Sequence, residues 1–269
     1  MTMMGRLTRI ACASALAALS IVAAIGAAQA AELRVLCTVA LAPVYDEIIP
    51  VFERATQHKV TVIYATSGAV VDRIRNGEMA DVLITSRAGI ESLLESERLV
   101  AASRADLAKA GIGVAVRKGA PKPRLDTVDS FRALLLSAKS IAHGNPANGG
   151  VASAHLVKVF ERLGVADEVR AKAVLGGPGM VAPAVAKGAA EIGMTQVSEI
   201  LPEPGVDLAG PLPAELQNIT PYAGAVVADS REPVAASALL QFLASPAAAA
   251  MLRARGMEPR RFRALLTAA

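Results

Sequence analysis

The amino-acid sequence predicts an α/β protein of two lobes, each a largely parallel sheet flanked by helices. First, strands and helices alternate over residues 32–85, which is typical of a parallel sheet with right-handed connections. Second, four loops of small residues each follow a predicted strand, two in either half of the chain. Third, residues 119–123 read GAPKP, and this glycine- and proline-rich segment predicts the crossover from one lobe to the other.

The N-terminal 30 residues have the pattern of a secretory signal peptide. Arg6 and Arg9 supply a positive start, an alanine-rich apolar run follows, and Ala28-Gln29-Ala30 fits the small-x-small rule, so cleavage is predicted after Ala30. An uncleaved membrane anchor is the alternative, although the apolar run is short and only weakly hydrophobic for a stable span. After cleavage one cysteine is left, so stability must come from the core and not from an internal disulfide.

The composition narrows the function classes. Apolar residues make up 53% of the chain, which is enough for a large core, but aromatic residues make up only 3%. Nucleic-acid binding favours basic patches interleaved with aromatic residues, and neither is visible. The formal charge of +4 falls by two when the leader arginines are removed, which is too mild to indicate a membrane-surface or polyanionic partner.

The first lobe is predicted to contain residues 31–117 and 222–269. Its strands are Glu32–Thr38, residues 60–64, 82–84 and 112–117, and a returning strand over 222–228. A helix over 44–55 contains Pro50, which should kink or split it. Residues 105–109 are interpreted as a connection, and two helices over 234–243 and 246–255 end the chain.

The second lobe is predicted to span residues 118–221. Helix 128–137 precedes a strand over 140–143, and the loop GNPANGG then leads into helix 151–163. A strand over 173–175, the loop GGPG and a helix over 181–187 repeat this pattern before the strand 191–196.

The loops at these strand ends are the candidate binding site. A strand that enters a helix through hydroxyl-bearing residues and glycine leaves backbone N–H groups and the helix dipole free for an anion. Ligands of open α/β sheets bind at the carboxyl ends of strands, so two such sheets facing each other would enclose a small anion. Ser67 is interpreted as an N-cap, a ligand contact or both, and Gln196 as a strand-end residue or a ligand-facing amide. Arg87 is either solvated or a bidentate clamp for a carboxylate.

Evidence for catalysis is sparse in the sequence. His58, His143 and His155 lack metal-ligand spacing, and the motifs of serine hydrolases, P-loop proteins and zinc proteases are absent. Cys37 lies in an apolar strand and is expected to be a buried, inert thiol. The sequence therefore predicts no metal, no cofactor and no assigned catalytic residue.

Several segments are similar to those of extracytoplasmic solute-binding proteins of the molybdate-binding type, from ABC uptake systems. They are VFERATQHKVTVIYATSGAVVDRIRNGEMADVLIT, GNPANGG, AKGAAEIGMTQVSEI and LLQFLASPAAAAMLRARG. The resemblance implies the two-lobed periplasmic-binding-protein fold with hinge crossovers, a periplasmic location, and an ABC permease and ATPase as partners. We expect a monomer.

The same resemblance bears on the ligand. Molybdate binders usually carry a serine where this chain has Ala40, a hydroxyl that Ser67 matches, amides at positions matching Gly149 and Gly179, and often a tyrosine where Gln196 stands. The candidate ligand-binding residues are thus Thr38, Ala40, Ser67, Gly68, Arg87, Asn148, Gly149, Gly179 and Gln196.

Two of the oxyanion-binding side chains are missing, and a desolvated oxyanion needs a donor for nearly every lone pair. We therefore favour a receptor for an organic polycarboxylate over one for molybdate. The segment TQVSEI resembles a branch that includes a periplasmic aconitate isomerase. Such an enzyme is the alternative, with His143 or Glu199 as its base.

Overall fold

The structure is a computed structural model that describes residues 30–260. The predicted signal peptide, apart from Ala30, lies outside the described residues, and its cleavage stays a prediction. The strands are β1 Glu32–Thr38, β2 Lys59–Ala65, β3 Val82–Ser86, β4 Ala105–Ala110, β5 Ile112–Arg117, β6 Ile141–Gly144, β7 Ala173–Gly176, β8 Ile192–Gln196, β9 Val206–Pro211, β10 Thr220–Val226 and β11 Glu258–Pro259. The helices are α1 Ala42–Thr56, α2 Ser67–Arg75, α3 Arg87–Glu95, α4 Val128–Ser137, α5 Val151–Arg162, α6 Ala166–Ala171, α7 Val181–Ala186, α8 Val197–Ile200, α9 Pro233–Leu243 and α10 Pro246–Ala254.

The first lobe is built on a six-stranded sheet with the order β11-β4-β10-β3-β1-β2. Strands β1, β2 and β3 are parallel, whereas β10 is antiparallel to β3 and to β4. Helices α2 and α3 cover one face through Val70, Ile74, Ile90 and Leu93. The parallel strands thus end together at one edge, where their loops can share a ligand.

The second lobe has a five-stranded sheet with the order β7-β6-β8-β5-β9. Strands β6, β7 and β8 are parallel, and β5 runs antiparallel to β8 and β9. Along β5, Ile112, Val114 and Val116 pack with α4, α5 and α6 on one face, and Ala115 packs with α7 and α8 on the other. This alternation follows the two-residue period of a strand. The two helix-flanked sheets confirm the predicted fold class.

The crossover between lobes differs from the prediction. Residues 112–117 were assigned to the first lobe, but β5 lies inside the second sheet. Residues 105–109 were interpreted as a connection, but they belong to strand β4 of the first sheet. The chain therefore crosses at Gly111, between two consecutive strands, and residues 119–123 belong to a surface loop after β5. Strand β10 lies in the first sheet, where the sequence placed residues 222–228.

Helix α1 runs through Pro50 without being split. Its buried face carries Tyr45, Ile48 and Phe52, and the Phe52 ring lies 5.5 Å from that of Phe242 on α9. Burying side chains of this size contributes about 1.5–3 kcal/mol each, comparable to the cost of an internal proline.

Within residues 30–260 no single helix is long and apolar enough to cross a membrane. Helices α9 and α10 reach the required length and apolarity only when taken together, and they are bent by 57° at the break between them.

Candidate functional site

A cleft between the lobes is lined by the loops that follow β1, β2, β6 and β7, together with the end of β8. Helices α1, α2 and α5 begin in or beside these loops, so their N-termini surround the cleft. The described residues that line it are Thr38, Val39, Ala40, Thr66, Ser67, Gly144, Asn145, Asn148, Gly150, Val151, Ala152, Ser153, Gly176, Gly177, Pro178, Gly179, Val181, Thr195, Gln196, Glu199 and Tyr222. Six of the predicted site residues are among them, namely Thr38, Ala40, Ser67, Asn148, Gly179 and Gln196.

The cap of helix α2 is Thr66 and not Ser67. The Thr66 hydroxyl accepts a hydrogen bond from the Ala69 N–H at 3.3 Å, which satisfies one of the free donors at the helix start. Ser67 is thereby left to hydrogen-bond the Thr38 hydroxyl at 3.0 Å. Both of these hydroxyls are buried on the cleft wall, so the pair can turn donors or acceptors toward a ligand.

Three hydrogen bonds connect the two lobes across the cleft. The Gly68 N–H donates to the Gly149 carbonyl at 2.9 Å, and the Thr66 hydroxyl donates to the Asn148 carbonyl. On the other side, the Ser198 hydroxyl donates to the Ala40 carbonyl at 2.7 Å. The structure is therefore a closed arrangement of the lobes.

The contact between Gly68 and Gly149 requires glycine on both sides. A Cβ on Gly68 would lie 2.9 Å from the Gly149 carbonyl oxygen, closer than a carbon normally approaches backbone. Gly149 has a φ of +71°, and its own N–H donates to the Pro146 carbonyl at 3.1 Å. The Gly68 N–H is thus used across the cleft and the Gly149 N–H within its own loop, so neither is free for a ligand.

Gln196 braces the hinge. In the orientation that satisfies all its partners, its amide NH₂ donates to the carbonyls of Gly111 and Ala110, at 3.1 and 3.3 Å, and its oxygen accepts from Thr220. Ala110 ends strand β4, Gly111 is the crossover residue, and Thr220 begins strand β10, so these partners lie where the chain passes between the lobes. Gln196 lines the cleft with an amide that is already hydrogen-bonded.

The structure does not bring Arg87 to the cleft. The residue opens helix α3, and its guanidinium pairs with the Asp106 carboxylate at 2.8 Å. It lines a separate cavity outside the cleft, together with Lys109 and Tyr222.

Glu199 provides the one carboxyl among the described residues that line the cleft. It lies in the first turn of α8, is partly buried, and accepts a hydrogen bond from the Thr195 hydroxyl at 3.0 Å. Burial raises the pKa of this carboxyl to about 7, against the opposing effect of its hydrogen bonds. Tyr222, beside it, is buried, and burial together with the Glu199 charge raises the tyrosine pKa. At neutral pH, Glu199 is therefore present in both its protonated and its ionised form.

His143, the other base proposed from the sequence, does not line the cleft. His143 lies in strand β6, and its buried ring packs edge-on against Phe160 of helix α5, with 5.5 Å between the ring centroids. Of the two proposed bases, only Glu199 borders the site.

The electrostatics of the cleft come from dipoles. No lysine, arginine or histidine is found among its described lining residues, and the described part of the chain has no cluster of residues able to hold a metal. An anion must therefore be held by backbone N–H groups, hydroxyls and helix N-termini. The cavity measures about 60 Å³. This corresponds to roughly four to six water positions, so the closed cleft excludes a nucleotide or a sugar chain.

The sequence placed Thr66 in a candidate loop without assigning it a contact, and it gave no indication of Thr195 or Tyr222. Thr66 carried a usable signal, because a threonine directly before a helix is as good a cap as the serine that follows it. Thr195 and Tyr222 lie within strands, and only the pairing of the sheets shows that these positions face the cleft.

A family model described as bacterial extracellular solute-binding protein matches residues 33–258. An aconitate isomerase from Pseudomonas sp. is 36% identical over 218 residues, which is 79% of this chain and 82% of that protein. The molybdate-binding protein ModA of Azotobacter vinelandii is 28% identical over 238 residues, or 86% of this chain and 91% of that protein.

The solved structure of the periplasmic molybdate-binding protein of Azotobacter vinelandii superimposes with a TM-score of 0.71 at 21% identity. The match covers 85% of this chain and all of that one, and it supports the fold assignment.

Proposed function

Because this chain belongs to the family of bacterial extracellular solute-binding proteins, we propose that it binds a small unsaturated polycarboxylate between its lobes and isomerises it, as an aconitate isomerase. The observation that carries the proposal is Glu199. A partly buried carboxyl with a pKa of about 7 borders a cleft that otherwise offers hydrogen-bond donors. A site for passive capture of an anion gains nothing from such a group, whereas proton transfer requires one with a pKa close to the working pH.

The donors of the cleft suit the carboxylates of the ligand. Hydroxyls of Thr38 and Ser67 and the backbone of the Gly176–Gly179 loop line its walls. They would hold the carboxylates through hydrogen bonds and would also stabilise negative charge that develops on the carbon skeleton. This arrangement assigns binding to the loops and proton transfer to Glu199.

The reaction is a proton shift across three carbons. Ionised Glu199 takes a proton from the methylene carbon, the C–H bond breaks, and the electron pair spreads over the allylic carbons and the neighbouring carboxylate. The Glu199 carboxylic acid then gives a proton to the carbon at the other end of the system. The double bond moves by one position and can re-form with the opposite geometry. One C–H bond breaks and one forms, so the step balances without a co-reactant.

The match to aconitate isomerase supports this assignment. That relative is 36% identical to this chain, compared with 28% for the molybdate-binding protein. From the sequence a receptor is favoured and an enzyme with His143 or Glu199 as its base is the alternative; the position of Glu199 at the cleft favours that alternative.

A transport receptor for an organic acid is the second candidate, favoured by the family match itself. In that role the protein would deliver its ligand to an ABC permease and ATPase in the periplasm. It would be stabilised by ligand through mass action and would return the ligand unchanged.

The test is incubation of the purified protein with cis-aconitate and, separately, with trans-aconitate, followed by chromatography. We expect each acid to convert to the same mixture, with kcat/KM rising as pH increases through about 7 because Glu199 must be ionised to accept a proton. Glu199→Gln should lose at least a hundredfold in kcat. The control Glu203→Gln, four residues along and outside the described cleft lining, should retain activity. Thermal stabilisation by either acid without any conversion would instead establish the receptor.

A further inference from the structure

A second cavity of about 420 Å³ lies in the second lobe, away from the cleft. It is bordered by strands β6 and β7 and by helices α5 and α6. Most of its described lining is apolar, and the full set is His143, Asn145, Pro146, Val157, Phe160, Glu161, Ala166, Val169, Arg170, Ala173 and Leu175. Its size and apolar character are those of a site for a small molecule, which typically measures about 300–1,000 Å³ and carries a few polar groups.

The polar group within this wall is His143, which is only 5% exposed. Its Nδ1 lies 3.0 Å from the Gly144 carbonyl oxygen, which can only accept, so Nδ1 carries the proton. Burial lowers the pKa of the imidazole, and the ring is therefore neutral at pH 7. Its Nε2 is then an acceptor, and it has no hydrogen-bond partner among residues 30–260.

An acceptor in an apolar wall without a protein partner is open to a donor that enters the cavity from outside. The ionic side chains of the cavity, Glu161 and Arg170, are exposed and stand at its rim. Leu175 is 54% exposed on the edge strand β7 and leaves the apolar interior accessible. The chemistry of the wall thus matches an apolar body with one donor and does not match an anion.

We propose that this cavity is a second binding site, which takes a small uncharged apolar molecule carrying one hydroxyl donor that hydrogen-bonds His143. The site is independent of the interlobe cleft and of the isomerase proposal. It lies behind the loop that follows β6, because Asn145 of that loop borders both cavities.

The probe for this site is 4-methylphenol, compared with 4-methylanisole, which has the same apolar body and no donor. Titrations are followed by ¹⁵N NMR of the histidine ring in the full-length mature protein without cleft ligand. We expect 4-methylphenol to saturate, to shift the His143 Nε2 resonance, and to bind about tenfold more tightly than 4-methylanisole, the effect of one hydrogen bond.

Variants locate the binding. Leu175→Trp should fill the entrance and abolish the titration, while Leu136→Trp, at an exposed leucine of the same lobe outside the described lining, should leave it intact. His143→Phe keeps an aromatic ring beside Phe160 and should equalise the two compounds. Equal binding of both compounds to the wild type would overturn the proposal. So would an unchanged titration in Leu175→Trp, or no saturable binding of 4-methylphenol.

Discussion

Replacing Glu199 by glutamine removes a carboxyl whose ionisation the fold opposes. The folded-state pKa is about 7, raised by burial above the ordinary 4.5. A group with a raised pKa leaves the protein most stable below its unfolded-state pKa, and that stability is lost as pH rises through the folded-state pKa. Glutamine has no such titration. The free energy of unfolding of the wild type should therefore fall relative to Glu199→Gln between about pH 4.5 and 7.

The size of the effect follows from the two pKa values. The shift from 4.5 to about 7 corresponds to an upper limit of roughly 3 kcal/mol, at about 1.4 kcal/mol per pKa unit. Between pH 5 and pH 8 the wild type should lose roughly 2.5 kcal/mol relative to the variant, because part of the effect lies below that range.

The assay is urea unfolding, followed by circular dichroism, at half-unit steps from pH 5 to pH 8 for both proteins. The difference between the two curves isolates Glu199 from the other groups that titrate in this range. Glu203→Gln, which keeps an acceptor for the Gly205 N–H, serves as the matched control and should parallel the wild type. Parallel curves for the wild type and Glu199→Gln would refute the burial argument, and with it the main support for Glu199 as the proton-transfer group.

The remaining predictions concern closure, the hinge and the ligand. Gly68→Ala places a Cβ against backbone across the cleft, so it should weaken aconitate binding at least tenfold in calorimetry and increase the radius of gyration of the liganded protein, with little change in melting temperature. Gln217→Ala removes both hydrogen bonds, each 2.9 Å, to the N–H and carbonyl of Ile112 at the crossover and should cost about 1–3 kcal/mol in urea unfolding; an unchanged midpoint would contradict the bracing role. Ser67→Ala should weaken aconitate binding severalfold, and Arg87→Ala should leave it unchanged, since Arg87 pairs with Asp106 away from the cleft. If Arg87→Ala weakened aconitate binding as much as Ser67→Ala, Arg87 would instead contact the ligand, as one interpretation of the sequence had it.

The elements that the sequence predicted well are those whose pattern is local. Strand β2 and helix α2 are one example, because alternation in the strand and helical spacing of Val70, Val71 and Ile74 are visible within a few residues. Strand β4 was missed because ADLAKA has no long apolar run. It is a strand because β10 and β11 pair with it, and those partners are more than a hundred residues away.

The crossover was misplaced for a related reason. Glycine and proline at 119–123 give a strong turn signal, whereas the true change of sheet occurs at Gly111 between two strands with no such signal. Gln217 and Gln196 hydrogen-bond the backbone at this crossover. Their partners cannot be identified from the sequence, because they come together only once the strands that connect the lobes are folded side by side.

By itself, the sequence determined that the chain forms helix-flanked sheets, and it marked the loops in which helix N-termini would offer donors to a small anion, because these properties depend on neighbours along the chain. Only the tertiary structure decided which donors are free. The Gly68 N–H donates across the cleft and the Gly149 N–H donates within its own loop, Arg87 pairs with Asp106 outside the cleft, and Glu199 acquires a pKa of about 7. The reason is physical: hydrogen-bond saturation and desolvation depend on what packs against a group in space, and for Gly68 and Arg87 the partners come from the opposite lobe or from another strand.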